Sequence, residues 1–595
     1  MRCQTLVLTL GLLLTSVAQA QWTEDTPVVL KGKIVSMDTR VRTGQVVIRN
    51  GKIEAILSAS ATPPAGAIVI DTKGYIYPGL INLHNHLKYN FTGLYDVPKA
   101  SANHDQWPSG KDYQRYVNNP TALVTGSNFY ARQDEALKYA EVRAIVGGET
   151  AIQGAQNSPA ISRTLVRNVE LKNFGEDTIG QRALTIDSLF WRHKEDVMPS
   201  IKRQRAWLFH LCEGIDDYSR KEWSDSGWDP TKPFSSSKSA RNRPGVVEAD
   251  LVFPGLVGIH CTAMEREDFK QWKAITGGVP KIVWSPTSNL MLYGATTDIR
   301  AAKLEGALIS LGTDWAPTGT KNLLWELKVA DAYNRKQSPR LFRGDKALVE
   351  LVTTNPAKIL GWEDRVGKIK VGYYADLIVV DNIYSRSGYK NLVMAHEVNI
   401  QLVMVGGNPL YGDEAHLEKL KVYNGQKQYE RLPGSSDTRP KVIDMLQDLS
   451  ARKGDMTLAE VIKNLEEGLD LDTAVLAKIL NDGKRISSTK VSYKARDYVR
   501  ANLKKKLERA QMPVPASLDD PDSDLTPAQL ETYIELKYPN LRKIDGLPSF
   551  YTDPLFLDRL EKNLFWKDLG FDLRKYLPPE IAVLKGMNAA LSQDD

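Results

Sequence analysis

Four short apolar segments of this chain each run into a histidine or an aspartate, and that pattern limits the folds open to it. The segments, with the residues that follow them, are 79–83 with His84 and His86, 206–209 with His210, 256–259 with His260, and 307–313 with Asp314. On a β-strand, side chains at positions i and i+2 point the same way. We therefore expect His84 and His86 to project together from one strand end.

The segments between these strands have helical character, and strands that alternate with helices indicate a parallel sheet. In a (β/α)₈ barrel, the carboxyl ends of the strands form the mouth where active sites lie. Residues 147–152 predict the second barrel strand, whereas strands three and four are not evident between Gln153 and Ala206. Imidazoles and a carboxylate are suitable ligands for a divalent transition metal, so the mouth should hold one.

The order His-x-His, His, His, Asp resembles the amidohydrolase superfamily, and residues 25 to about 430 can be aligned with its pattern. The resemblance implies an α/β fold: a (β/α)₈ TIM-like barrel with a small flanking β-sandwich built from both sides of it. Strand-like segments at 28–35, 46–53, 366–381 and 402–407 resemble that flanking unit. The implied domains are a sandwich at 21–78 and 362–430 and a metal-dependent barrel at 79–361.

The resemblance does not cover residues 431–595. Segments 458–480 and 493–510 have helical spacing and mixed charge, and 513–525 is rich in proline and aspartate. These features predict a mainly helical extension, to which the sequence assigns no chemical role.

The first twenty residues are typical of a signal peptide. Arg2 precedes an apolar run at 6–14, and Ala18-Gln19-Ala20 has the small-x-small form of a cleavage site. The run is too short for an ordinary transmembrane helix, so we expect a periplasmic or secreted protein with no membrane partner after cleavage. The mature chain would keep Cys212 and Cys261, which we expect to be packed thiols without a disulfide.

Glu213 lies three residues after His210, and this His-x-x-Glu resembles the branch with cytosine deaminase, adenosylhomocysteine deaminase and the triazine hydrolases. The resemblance implies that His84, His86, His210 and Asp314 hold one divalent metal, with zinc as the default and iron or manganese as alternatives. The metal would acidify a water molecule, and Asp314 could accept its proton. Glu213 would act as general acid/base, while His260 would orient the water or bind and polarise the substrate.

These roles predict a hydrolase of carbon–nitrogen bonds other than peptides, which deaminates or substitutes a small nitrogen-rich ring. A net charge of +6 on 595 residues gives no indication of a nucleic-acid partner, and a homo-oligomer is an open alternative. A two-metal amidase, dipeptidase-like enzyme or lactone hydrolase is the competing hypothesis, with Lys172 as its extra ligand. A non-catalytic binding protein would need a lost ligand, and the sequence retains them all.

Several segments should shape the mouth. The insertion from Lys88 to about Gln133 carries Trp107, Tyr113 and Tyr116, and we expect it to contact substrate. Residues 214–242 are a candidate lid. Trp315 would be either a platform for a flat ring or a packed aromatic, and Asn289, in a Pro-x-Ser-Asn segment, should fix the loop before the last strands.

Overall fold

The computed structural model describes most of the chain outside the first 22 residues. The described residues are 23–154, 165–175, 179–182, 194–224, 229, 231–232, 244–423, 425–445, 456–482, 494–539, 541, 546–552, 554–562, 570 and 573–576. The expected signal peptide at 1–20 lies outside them. Among the described residues, the model contains no helix with the length and apolar character needed to cross a membrane.

Four strands precede the barrel: β1 (Val28–Ile34), β2 (Arg42–Arg49), β3 (Lys52–Ser58) and β4 (Ile68–Pro78). β2 pairs antiparallel with β1 and with β3, whereas β4 pairs parallel with β1. Gly79 then leads directly from β4 into the barrel.

Eight short strands follow in parallel order. They are β5 (Leu80–Asn82), β6 (Glu149–Ile152), β7 (Arg167–Asn168), β8 (Ile179–Arg182), β9 (Ala206–Leu211), β10 (Leu256–His260), β11 (Lys281–Trp284) and β12 (Leu308–Leu311). β5 to β7 form one parallel group and β8 to β12 another. A parallel bridge between Asn85 and Asp314 brings the end of β12 beside the end of β5. The predicted α/β barrel is confirmed, and β7 and β8 are the strands that the sequence did not reveal.

Seven strands follow the barrel: β13 (Leu377–Val380), β14 (Ile400–Val405), β15 (Asn408–Asp413), β16 (Val422–Tyr423), β17 (Gln426–Lys427), β18 (Glu430–Arg431) and β19 (Lys441–Ile443). β13 pairs antiparallel with β4, so strands from both sides of the barrel join in one nine-stranded sheet, in the order β18-β19-β15-β14-β13-β4-β1-β2-β3. β16 and β17 form a separate pair. The flanking unit therefore draws on both sides of the barrel, as expected, through one continuous hydrogen-bonded sheet.

Helices fill the connections and the extension. The described α-helices are Lys111–Tyr113, Asn119–Thr125, Gln133–Val146, Lys194–Lys202, Asp217–Arg220, Arg266–Thr276, Pro286–Tyr293, Ile299–Leu304, Leu323–Lys336, Asp345–Glu350, Thr354–Leu360, Gly388–Met394, Glu414–Leu417, Leu458–Leu469, Thr473–Asp482, Ala495–Arg509, Pro527–Lys537 and Pro554–Lys562. Local chemistry explains several starts: the Asn322 side chain accepts from the backbone N–H groups of Leu324 and Trp325 in the helix Leu323–Lys336. Thr457 and Glu460 form a capping box at the start of Leu458–Leu469.

The extension is helical, as predicted, and it packs on the insertion that precedes Gln133–Val146. Leu476, Val499 and Leu503 share an apolar cluster with Phe129 and Tyr130. At the edge of this contact the Arg132 guanidinium donates to Glu467 at 2.9 Å. Cys212 and Cys261 are free and buried, which confirms that they are packed thiols.

Candidate metal centre

The ends of β5, β9, β10 and β12 bring the predicted histidines and aspartate together. His84 Nε2 lies 3.1 Å from His210 Nε2 and 3.3 Å from Asp314 Oδ1. His86 Nε2 lies 3.3 Å from His210 Nε2 and 3.4 Å from the same Asp314 oxygen. Four ligand atoms from three strand ends thus converge on one point.

These separations fit a tetrahedral metal site. Ligands about 2.0–2.1 Å from a tetrahedral metal lie roughly 3.4 Å from one another, and the four measured separations are 3.1–3.4 Å. His260 also lies close, because His84, His210 and His260 each have a ring nitrogen within 4.8 Å of the others. The donor set of imidazoles and one carboxylate suits a divalent transition metal.

Hydrogen bonds from one short helix fix the orientation of these side chains. His84 Nδ1 lies 2.8 Å from the Ser285 hydroxyl, and Ser288 Oγ donates to Asp314 Oδ2 at 2.6 Å. His260 Nδ1 lies 2.8 Å from Asn289 Oδ1, which leaves its Nε2 directed into the site. Such partners set the tautomer and the ring angle of a metal-site histidine.

The backbone at two strand ends adopts a costly conformation. His260 and Asp314 have φ angles of 67° and 58°, in the left-handed region that side chains other than glycine rarely adopt. Such a conformation costs about 1–3 kcal/mol per residue and is typical of functional sites. The Asp314 N–H donates to the His84 carbonyl at 2.9 Å, so this bend is held against the first strand.

Burial keeps the imidazoles neutral. Burial, followed by the charges that His260, His210 and His86 could carry, holds the pKa of His84 well below its usual value. Burial also lowers the pKa of His86 to about 3. Neutral imidazole is the form that binds a metal. Burial raises the pKa of Asp314 well above its usual value, so a cation at this point would supply the charge that favours its carboxylate form.

Glu213 lies beside the cluster and approaches His260, with 3.7 Å between Glu213 Oε1 and His260 Nε2. The Tyr293 hydroxyl donates to the same oxygen at 2.6 Å. Burial alone would raise the pKa of Glu213, but His260, His104, His210 and the Tyr293 hydroxyl together bring it below its usual value. The Tyr293 hydroxyl thus holds a buried carboxyl group next to the predicted metal ligands.

The insertion packs against the segment around Glu213. Asn103 pairs with Gly214 in an antiparallel bridge, and its side chain donates to Asp216 at 2.7 Å. The Tyr218 hydroxyl donates to Asp105 at 2.7 Å. The insertion therefore adjoins the segment that follows Glu213, which places it at the mouth as expected. Of the candidate lid at 214–242, the structure describes 214–224, 229 and 231–232.

Trp315 is a packed aromatic. It is 5% exposed, and its indole N–H donates to Thr318. Its ring centroid lies 5.1 Å from that of Tyr89, 5.3 Å from that of Trp107 and 5.8 Å from that of Tyr113. Neighbouring rings occupy the surface that a flat substrate would need, so the packed alternative holds.

Lys172 is not placed to be a ligand of a second metal. It follows β7, the third barrel strand, and its side chain is exposed. The fourth strand is β8, and Lys172 precedes it. The suggestion that Lys172 supplies the extra ligand of a two-metal site was wrong. Strands three and four could not be located in the sequence, so the position of Lys172 relative to the fourth strand could not be predicted.

Several site residues were not predicted from the sequence: Ser285, Ser288, Tyr293 and His104. A signal existed for Tyr293, since it lies four residues after Asn289 on one helix and so shares its face. Asn289 also does more than expected, because it binds His260 and also donates to Thr296 in the following loop at 3.2 Å. His104 N–H donates to the Glu213 carbonyl from a distant loop, and no local pattern indicates that contact.

Comparison with known proteins adds independent findings. Residues 255–410 match the model described as "Amidohydrolase family". A 5-methylthioadenosine/S-adenosylhomocysteine deaminase from Syntrophobacter fumaroxidans is 30% identical over 387 residues, which cover 59% of this chain and 84% of that protein. The enzyme of the same name from Thermotoga maritima is 27% identical over 186 residues, 30% of this chain and 44% of that protein, so the match spans under half of that relative. A solved adenosine deaminase from Xanthomonas campestris with bound zinc has 16% identity and a TM-score of 0.49, covering 75% of this chain and 98% of that chain.

Proposed function

This chain belongs to the amidohydrolase family, and on that premise we propose that it hydrolyses a carbon–nitrogen bond of a small nitrogen-rich ring. Deamination is the reaction that we favour, since relatives named as deaminases of adenosine derivatives match long stretches of the chain. The carrying observation is the buried Glu213, held by the Tyr293 hydroxyl beside four converging metal-ligand atoms. That arrangement supports hydrolysis by an activated water molecule.

We assign one divalent metal to His84, His86, His210 and Asp314, and zinc is the default identity. The four short separations between their ligand atoms support this set. When bound, such a metal polarises and acidifies a water molecule. His260 stays outside the set in this assignment, because its Nδ1 is bound to Asn289 and its Nε2 faces Glu213.

Glu213 and Asp314 then carry out the proton transfers, and His260 orients the water molecule. Glu213 acts as general acid/base and passes one proton of the attacking water to the ring nitrogen. The second proton, lost from the new hydroxyl group as it becomes a carbonyl, is passed to the leaving amine, which departs as ammonia. Asp314 can accept a proton during attack, and Ser288 holds its other oxygen in place. His260 Nδ1 donates to Asn289 Oδ1, so the Nε2 of the neutral ring accepts a hydrogen bond from the water molecule and orients it.

Two alternatives remain testable beside this proposal. A two-metal hydrolase of amide or lactone bonds would use His260 as a ligand of the second ion, and the grouping of His84, His210 and His260 is the observation in its favour. A binding protein would retain the metal without turnover. Metal stoichiometry and turnover separate the three.

The test is an ammonia-release screen of the purified chain, with metal content measured on the same samples. The panel contains 5-methylthioadenosine, adenosine, guanine, cytosine, an aminotriazine and a cyclic amide. We expect ammonia from at least one aminated ring at about one metal per chain, with no release after chelation. Two essential metals per chain with hydrolysis of the cyclic amide alone would favour the two-metal alternative. A full metal complement without turnover on any compound would favour the binding protein.

We also propose that the protein is exported, on the strength of Arg2, the apolar run at 6–14 and Ala18-Gln19-Ala20. Amino-terminal sequencing of the protein from its native host should give Gln21 as the first residue. An intact Met1 on protein from the cytosolic fraction would contradict this proposal. An exported enzyme would favour a scavenged or foreign ring compound over an intracellular nucleotide.

A further inference from the structure

We propose that Tyr293 is a positioning residue for Glu213 and that Trp107 of the insertion sets the direction of its hydroxyl. This inference rests on the proposed function, because it assigns Glu213 a proton-transfer role. It links the insertion to the chemical step through two hydrogen bonds. The insertion would thus affect turnover as well as substrate access.

The first bond joins Tyr293 to the carboxylate. The Tyr293 hydroxyl donates to Glu213 Oε1 at 2.6 Å, and both residues are buried, at 2% and 6% exposure. A short bond from a hydroxyl to an ionised carboxylate is among the stronger hydrogen bonds in proteins. It therefore limits the rotation of the carboxyl group that takes part in proton transfer.

The second hydrogen bond determines which residue is the donor in the first one. Trp107 Nε1 lies 3.0 Å from the Tyr293 hydroxyl. An indole N–H is a donor only, so the tyrosine oxygen accepts from Trp107 and must send its own hydrogen elsewhere. Glu213 is the acceptor in reach. Hydrogen bonds in such a chain strengthen one another, so the indole strengthens the hold on the carboxylate.

The three residues come from three different elements of the chain. Glu213 follows β9, Tyr293 ends the helix Pro286–Tyr293, and Trp107 lies in a 3₁₀ turn, Trp107–Ser109. The same helix and its N-cap residue hold other site residues by hydrogen bonds: Ser285 contacts His84, Ser288 contacts Asp314 and Asn289 contacts His260. Tyr293 thereby extends to Glu213 the positioning that this helix gives to His84, His260 and Asp314.

The test compares Tyr293→Phe, Trp107→Phe and the double variant, using as substrate whichever panel compound the wild-type enzyme deaminates. Tyr293→Phe keeps the ring and removes the hydroxyl, so kcat should fall about 10- to 100-fold, the worth of a hydrogen bond to a charged group. KM and metal content should stay within about twofold. Trp107→Phe should lower kcat by a smaller factor, and the double variant should be no worse than Tyr293→Phe alone, since both remove one chain of bonds.

Tyr95→Phe is the matched control, because Tyr95 is a buried tyrosine of the same apolar cluster and belongs to the insertion. It should leave kcat within about twofold of wild type. A normal kcat for Tyr293→Phe at full metal content would overturn the inference. So would additive effects of Tyr293→Phe and Trp107→Phe, because independent losses mean that the two residues do not act through one path.

A second measurement separates this inference from the proposed function. Thermal unfolding of Tyr293→Phe is compared in the wild-type and the Glu213→Gln backgrounds. The melting temperature should drop less in the Glu213→Gln background, because the carboxylate that made the bond strong is already gone. Equal drops would overturn the inference even if no panel compound is a substrate, whereas an inactive wild-type enzyme with unequal drops would overturn only the proposed function.

Discussion

Two regions of different origin build the mouth of the barrel. The strand ends supply the metal ligands and His260, each in the last two residues of a buried parallel strand or a few residues beyond it. The insertion at 88–132 supplies contacts that reach across more than a hundred residues of sequence, such as Asn103 to Asp216 and Asp105 to Tyr218. The fold itself places the first set, whereas tertiary packing places the second.

The two regions also differ in what supports them. Each strand-end residue rests on a neighbouring strand or on the helix Pro286–Tyr293, and nearly all of them are buried. The insertion rests partly on the carboxyl-terminal extension, because Phe556, Leu560 and Tyr576 share an apolar cluster with Tyr95 and Tyr113. The extension therefore has a structural role, because it packs against the insertion and supports it.

If the strand ends bind the metal and the insertion governs access, substitutions of strand-end residues should have the largest effects on metal binding and turnover. His210→Ala removes a ligand that lies 3.1 Å and 3.3 Å from two other ligand atoms. We expect metal affinity to fall by more than the roughly 10–100-fold typical of an outer partner, and ammonia release to fall to background. Elemental analysis and turnover on the same sample measure both.

His416→Ala is the control for that loss. His416 lies on the helix Glu414–Leu417 and faces Gln401 at 3.3 Å, away from the site. This variant should keep its metal and its turnover. Wild-type metal affinity in His210→Ala would mean that the remaining residues suffice, and the ligand set would have to be redrawn.

Glu213→Gln should separate proton transfer from metal binding. The amide has nearly the shape of the carboxylate, so the fold and the metal should persist while turnover falls by roughly 10²–10⁴, the worth of a placed general acid/base. Asp314→Asn should instead weaken metal retention together with turnover, because it removes a charged ligand. Near-normal turnover of Glu213→Gln at full metal content would exclude the proposed mechanism, and loss of the metal would make Glu213 a ligand.

The same division explains which parts of the molecule the sequence could predict. Strand-end residues were predictable because an apolar run and the residue after it are contiguous, as at 206–210 and 256–260. β7 was not, since a strand of two residues has no periodicity to detect. His104 approaches Glu213 only through the folded insertion, and nothing in its own segment distinguishes it from a surface histidine. Tyr293 could have been predicted, because it lies four residues after Asn289 and shares a face with it once the helix is placed.

The smallest effect tests the insertion alone. Tyr218→Phe removes the hydroxyl that donates to Asp105 at 2.7 Å and leaves every strand-end residue in place. Loss of a hydrogen bond of about 1 kcal/mol weakens an equilibrium by roughly fivefold at most, so KM should rise about two- to fivefold with kcat and metal content unchanged. Tyr498→Phe, at an exposed tyrosine of the extension helix Ala495–Arg509, should change neither parameter. A large loss of kcat in Tyr218→Phe would show that this contact affects the chemical step. In that case the insertion would do more than govern substrate access, and its distinction from the strand-end residues would not hold for Tyr218.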